Sequence, residues 1–143
     1  MTIQQISVFL ENRAGQLAEI TGVLADNKVD LRAIHIAETA DYGVLRLITA
    51  NPQEASKLLL EHGFILSMTP VMAVAVPDEP GGLARLLAIF AQAGLDIEYM
   101  YSVFGRKEGM AYMIFRVSDE QRLEQLLSEN GLVPVDGGAL GIG

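Results

Sequence analysis

Two copies of one small α+β unit, each with antiparallel strands and two helices, are what this sequence predicts. Three observations lead there. First, the chain repeats itself. Shifted by 66 positions, Gly15 falls on Gly81, Leu17 on Leu83, Ala18 on Ala84, Ala25 on Ala91, Asp30 on Asp96, Gly43 on Gly109 and Ile48 on Ile114. Further on the offset becomes 68, so that Leu58 and Leu59 meet Leu126 and Leu127, and Gly63 meets Gly131. The second copy is therefore two residues longer, with the insertion expected near residues 115–120. Second, apolar residues switch between strand and helix periodicity inside each copy. Third, 143 residues that are 50% hydrophobic and 20% charged suit one ordinary packed domain or two very small ones.

In the first copy Ile6, Val8 and Leu10 alternate with their neighbours, which predicts a strand over residues 3–10. Glu11-Asn12-Arg13-Ala14-Gly15 is the following loop. Leu17, Ile20 and Leu24 then form a helical stripe. Strands are expected over 29–37 and 44–49, joined at Asp41-Tyr42-Gly43. Asn51-Pro52 starts a second helix, with Asn as N-cap and Pro in the first turn. That helix buries Ala55, Leu58 and Leu59 and stops at Gly63, and a strand over 64–68 closes the copy.

The second copy follows the same order. A strand over 71–76 leads into the loop Asp78-Glu79-Pro80-Gly81-Gly82, then a helix carrying Leu83, Leu86, Leu87 and Phe90. Strands over 95–104 and 110–117 flank Arg106-Lys107-Glu108-Gly109. Ser118-Asp119-Glu120-Gln121 reads as a capping box for a helix bearing Leu123, Leu126 and Leu127, and a last strand covers 132–135. This order is the split β-α-β, ferredoxin-like unit. The boundaries read as 1–68, 69–136 and a flexible glycine-rich tail over 137–143. A unit of this size has a marginal core. With a mean hydropathy of +0.31, burial against a second copy of the chain, as a homodimer, is expected.

Several classes drop out. The absence of Cys removes disulfide scaffolds, thiol nucleophiles and cysteine metal sites, and two His residues do not make a histidine-rich one. A net charge of −8 repels nucleic acid and anionic membranes. No signal peptide or membrane-length apolar run is visible, so a cytoplasmic protein is expected. There is no nucleophile elbow, phosphate-binding loop, dinucleotide fingerprint or metal-ligand cluster. The chain reads as non-catalytic, with no cofactor.

The loops after the first strand of each copy hold the candidate chemistry. Both run through glycine into a helix start, where unpaired N–H groups and the helix dipole can hold a carboxylate. The plainer alternative is that Asn12 and Asp78 cap a turn and Gly15 and Gly81 shape it. Asp30 and Asp96 stand at the start of strand two in each copy, where a carboxylate can take an ammonium group or cap a turn. Together the loops and the four polar residues Asn12, Asp30, Asp78 and Asp96 would make a receptor for a zwitterion. Tyr99 and Tyr101, on one strand face with Ile97 and Val103, and His35 at the position matching Tyr101, are a possible pocket wall or a packing surface.

These residues resemble the ACT domain family. Asn12-Arg13-Ala14-Gly15-Gln16-Leu17 with Val29-Asp30-Leu31, and Asp78-Glu79-Pro80-Gly81-Gly82-Leu83 with Leu95-Asp96-Ile97, are similar to its loop and strand-two signatures. The two copies cover nearly the whole chain, which most resembles small stand-alone tandem ACT proteins without a catalytic domain. The resemblance implies a regulatory module that binds a free amino acid between ACT units. The ligand would be gripped by the strand-one loop of one (Asn12, Ala14, Gly15, Gln16, Leu17, or Asp78, Pro80, Gly81, Gly82, Leu83) and strand two of another (Asp30 or Asp96). Ala14 departs from the family's usual proline, which Pro80 retains, and the aspartates favour the ammonium end of a ligand. The expected function is amino-acid sensing transmitted by a change of oligomer or partner. The alternative is a ligand-independent subunit docking on a metabolic enzyme.

Overall fold

The structure, a computed structural model, describes residues 2–11, 13–38, 41–132 and 134–141. Its elements are β1 (Ile3–Glu11), α1 (Gln16–Asp26), β2 (Leu31–Glu38), β3 (Tyr42–Thr49), α2 (Pro52–Glu61), β4 (Leu66–Pro77), α3 (Gly82–Gln92), β5 (Ile97–Lys107), β6 (Met110–Val117), α4 (Glu120–Glu129) and β7 (Pro134–Val135), then a 3-10 turn at Gly138–Leu140. The chain divides into two compact units. The first is Gln4–Thr69 with the chain from Leu140 on, and the second is Pro70–Ala139 with the N-terminal residues through Ile3. The boundary falls inside β4, which the sequence suggests as two strands but which forms one uninterrupted element.

Each unit has the ferredoxin-like arrangement. In the first, β3 lies between β1 and β2, antiparallel to both. β1 also meets the start of β4, where the Phe9 N–H donates to the Ile65 carbonyl at 2.8 Å and the Ser7 and Thr69 hydroxyls stand 3.0 Å apart. In the second unit β6 lies between β4 and β5, and β7 pairs with the other side of β4. The cores are separate clusters: Ile6, Val8, Leu10, Leu45 and Leu47 under Ile20, Leu24 and Leu59 in the first, and Met72, Val74, Phe115 and Val117 under Leu86, Phe90, Leu123 and Leu127 in the second. Alternation along the strands supplies one side of each core and helical spacing the other.

The register relocates the insertion. Ile6 pairs with Leu47 in the first unit, and its counterpart Met72 pairs with Phe115 in the second, so the offset is already 68 by β6. The two extra residues therefore lie in the longer β5–β6 hairpin and not near 115–120, and the match of Gly43 with Gly109 and of Ile48 with Ile114 does not survive in three dimensions. His35 and Tyr101 remain equivalent, facing Arg46 and Ile114.

Other local readings are corrected too. The buried residues of α1 are Gln16, Ile20 and Leu24, and Leu17 stays 37% exposed. Helical spacing alone did not choose between neighbouring stripes. In α2 Ser56 is buried beside Ala55 and Leu59. The N-cap of α4 is Asp119, whose side chain accepts the Arg122 N–H at 3.0 Å, so the helix begins one residue later than a Ser118 cap would place it. A bulge between Ile97 and Tyr99 breaks the alternation of β5, and Ile97 packs with Met100 in the core. At the C-terminus, where a flexible tail is expected, Leu140 is buried and its carbonyl accepts the Arg32 Nε–H at 2.9 Å. Among the described residues no helix is long and apolar enough to cross a membrane.

Candidate ligand site

The loop after β1 carries the clearest candidate site. Gly15 caps α1 at φ +87°, a left-handed conformation that a glycine adopts without strain. Its carbonyl accepts the Glu19 N–H at 3.0 Å. Gln16 and Leu17 then join Leu10, Glu11 and Arg13 from the strand end and loop, Ile36 from β2 and Gly43 from β3 around a pocket of about 80 Å³. The positive end of an eleven-residue helix favours an anion there, and the Arg13 guanidinium adds donors to it while paired with Glu19 at 3.2 Å and with Glu11 at 3.9 Å. Gln16 is 7% exposed, and its Oε1 is buried with no hydrogen-bond partner among the described residues. Leaving such an acceptor unmatched costs about 1–3 kcal/mol, so a donor from a ligand or a water would be favoured beside it. Asn12 lies outside the described residues, and Ala14 sits in the turn just before Gly15.

The second unit repeats this frame with different chemistry. Gly81 caps α3 at φ +86°, and its carbonyl accepts the Arg85 N–H at 3.0 Å. Pro80 and Gly81 make the turn, and the Asp78 N–H donates to the Gly109 carbonyl at 2.9 Å. The Gly82 N–H at the helix start donates to Glu79 O at 3.1 Å. Gly82 is glycine for a packing reason: a Cβ there would collide with the Pro77 carbonyl oxygen. Leu83 is half-buried against the second core.

The aspartates are not beside the loop of their own unit. Leu10 pairs with Gly43 and Gly43 with Glu38 at one end of the first sheet, whereas Leu31, next to Asp30, pairs with Thr49 at the other. At about 3.3 Å per residue this separates Asp30 from its own loop by most of the strand. Asp30 also pairs with Arg32 at 3.1 Å. Asp96 likewise precedes β5 at the Val117 end, while Pro77 pairs with Met110 at the opposite end.

Of the possible wall residues, His35 alternates with the pocket-lining Ile36 and stands 3.2 Å from Arg46 Nη1. Burial first, and then the Arg46 charge, lower its pKa below the usual 6.5. Tyr99 and Tyr101 stack at 6.4 Å, with Tyr101 buried. Sequence reasoning missed Leu10, Glu11, Arg13, Ile36 and Gly43 as pocket residues. Strand alternation puts Leu10 on the helix side, but only the pairing of β1, β3 and β2 brings Ile36 and Gly43 to it. Among the described residues no group of three or more His, Asp or Glu could hold a metal ion.

The comparisons agree with this architecture. A crystal structure of protein BT0572 from Bacteroides thetaiotaomicron is 36% identical, with a TM-score of 0.90 over 99% of this chain and 96% of that one. The fold is also similar to the ligand-free regulatory subunit of aspartate kinase from Thermus thermophilus (17% identity, TM-score 0.63, 88% of this chain and 91% of that one). The same holds for that subunit from Thermus flavus (16%, TM-score 0.57, 87% and 88%). No curated protein matches the sequence. The family model described as an ACT domain pair matches residues 1–140, and with two ferredoxin-like units and glycine-capped loops in place the chain belongs to the ACT domain family.

Proposed function

We propose that this protein is a regulatory amino-acid sensor. A free amino acid would bind at the strand-one loop of one ACT unit against strand two of another, within a homodimer, and shift an equilibrium of assembly or of docking on a metabolic enzyme. The observation that carries this reading is the pocket at the start of α1, where Arg13 and the helix terminus suit a carboxylate and the buried Gln16 Oε1 suits a donor such as an ammonium. The separation of Asp30 from the loop of its own unit supports a ligand bridging two units rather than one seated in a single unit. ACT domains are regulatory rather than catalytic modules, which supports a non-enzymatic role. A cytoplasmic setting, where free amino acids are metabolised, belongs to the same reading.

A signal of this kind needs differential affinity for two states, about 1–3 kcal/mol of coupling. The test is a thermal-shift screen against the twenty amino acids. A native-state ligand at a hundredfold excess over its Kd adds about 2.7 kcal/mol of stability. A selective hit that is lost in Arg13→Gln, together with a ligand-dependent change of mass in sedimentation, supports the sensor. A flat screen on folded protein rejects it.

One feature favours the second reading, a ligand-independent docking subunit. Phe9 and Tyr42 are both about half exposed and stack with ring centroids 5.4 Å apart, an apolar surface suited to a protein partner. In that case Arg13→Gln leaves partner binding intact and Phe9→Ser abolishes it.

A further inference from the structure

The second unit holds a pocket lined at two positions where the first unit carries larger side chains. It has a volume of about 210 Å³ and lies among Val76 and Pro77 of β4, Gly82, Leu86 and Ile89 of α3, and Leu132 after α4, with Arg85 and Asn130 at the rim. The repeat identifies those positions. Gly82 and Gln16 each follow the left-handed glycine that caps an eleven-residue helix, so they are the same position in the two units. Leu132 and Phe64 are also equivalent, because their N–H groups donate to Leu127 O at 2.7 Å and Leu59 O at 3.1 Å respectively, at matching helix ends. The first unit thus puts two larger, buried side chains, Gln16 at 7% exposure and Phe64 at 8%, where the second has glycine and leucine. The smaller side chains of the second unit accord with the larger pocket there, about 210 Å³ against about 80 Å³ beside Gln16.

We propose that this pocket binds a short branched aliphatic carboxylate, at a site separate from the strand-one loop of the first unit. Val76, Leu86, Ile89 and Leu132 give aliphatic walls to a pocket that opens to solvent on one side, so a short branched chain can enter against them while its acid group stays at the wet rim. The wall chemistry excludes a ligand that is polar throughout, since its groups would lose water without replacement. The charged donor at the rim is Arg85. It gives one N–H to Glu79 Oε1 at 2.7 Å, and a guanidinium has five to offer, so a carboxylate can share it. Asn130 Nδ2 gives one of its two N–H groups to Leu126 O at 2.8 Å and is neutral, so the charged Arg85 is the stronger anchor for the acid group.

The experiment is an NMR titration of the whole protein with isovalerate, and with isoamyl alcohol as its uncharged counterpart. Amide shifts are expected at Leu86, Ile89 and Leu132, with isovalerate binding at least fivefold more tightly than the alcohol. Leu132→Phe, which installs the first unit's residue, should raise Kd at least tenfold, and Ile89→Phe serves if that variant melts early. Arg85→Gln should remove the preference for the acid while the alcohol still binds. Shifts confined to residues 13–17 and 36, no shifts at 50 mM of either probe (a concentration of order ten times a weak millimolar Kd), or unchanged binding in both filled variants would overturn the proposal. None of these outcomes depends on whether the first unit's loop binds an amino acid.

Discussion

Arg13 and Glu79 hold the same place in the two repeats with opposite charge, and each pairs with the residue six positions on. Arg13 Nη2 lies 3.2 Å from Glu19 Oε2, and Glu79 Oε1 lies 2.7 Å from Arg85 Nη2. The fold keeps the bridge from loop to helix while the polarity reverses. At this loop position the first unit carries the cation and the second the anion, while each helix start keeps one charge of either sign in its bridge. Both pairs are largely exposed, and each contributes less than about 1 kcal/mol. Arg13→Glu is expected to lower stability by a few tenths of a kcal/mol at low salt, and adding Glu19→Arg should restore it. Urea melts at 0.02 M and 1 M salt check this, since high salt should erase both effects.

Two glycines at α-helical positions should respond oppositely to alanine. At Gly82 the new Cβ collides with the Pro77 carbonyl oxygen, so the loop must move, at a cost of about 2 kcal/mol or more. At Gly22, inside α1, no atom of the described residues lies within 4 Å of the new one. Alanine there should stabilise by about 0.5–1 kcal/mol through helix propensity. Thermal melts of the two variants give the signs directly.

His35 makes stability depend on pH. Its folded pKa is depressed, by burial and then by Arg46, below the ordinary 6.5. As pH falls through 6.5 the unfolded chain takes up this proton first, so stability is lost on acidification and is unaffected well above that pH. His35→Gln should flatten this part of the profile between pH 7 and the lower folded pKa, measured as urea midpoints across the range.

The helix caps are independent and testable one at a time. Asn51 accepts the Glu54 N–H at 3.3 Å and Asp119 accepts the Arg122 N–H at 3.0 Å. Alanine at either position should cost about 1 kcal/mol. Because Asp119 rather than Ser118 is the cap, Ser118→Ala should change stability far less, which a denaturant series will show.

The chain end contributes to the first unit through Leu140. Burying a leucine side chain is worth about 1.5–3 kcal/mol, and its carbonyl also accepts from Arg32. Truncation after Gly137 should therefore speed hydrogen exchange in β2, around Arg32, more than in the second unit's β5.

Much of the architecture was legible in the sequence because it depends on local signals. The left-handed glycines 15 and 81, the Asn51-Pro52 helix start and the alternation of Ile6, Val8 and Leu10 each act within a few residues, and their recurrence at a constant offset disclosed the duplication. The site was only half legible. Gln16 and Leu17 stood out beside the loop glycine, but Leu10, Ile36 and Gly43 reach the same pocket from three strands whose pairing no short-range pattern specifies. The hairpin that hides the two-residue insertion, and the choice of Gln16 over Leu17 as the buried face of α1, likewise depend on what packs across the sheet. By itself, then, the sequence determined the repeated unit, its order of elements and its glycine-capped loops, because backbone conformation is governed by neighbours along the chain. Only the tertiary structure decided that Asp30 stands at the far end of the sheet from its loop, that Leu140 is buried, and that Gly82 and Leu132 line one pocket, because burial and volume depend on residues distant in sequence.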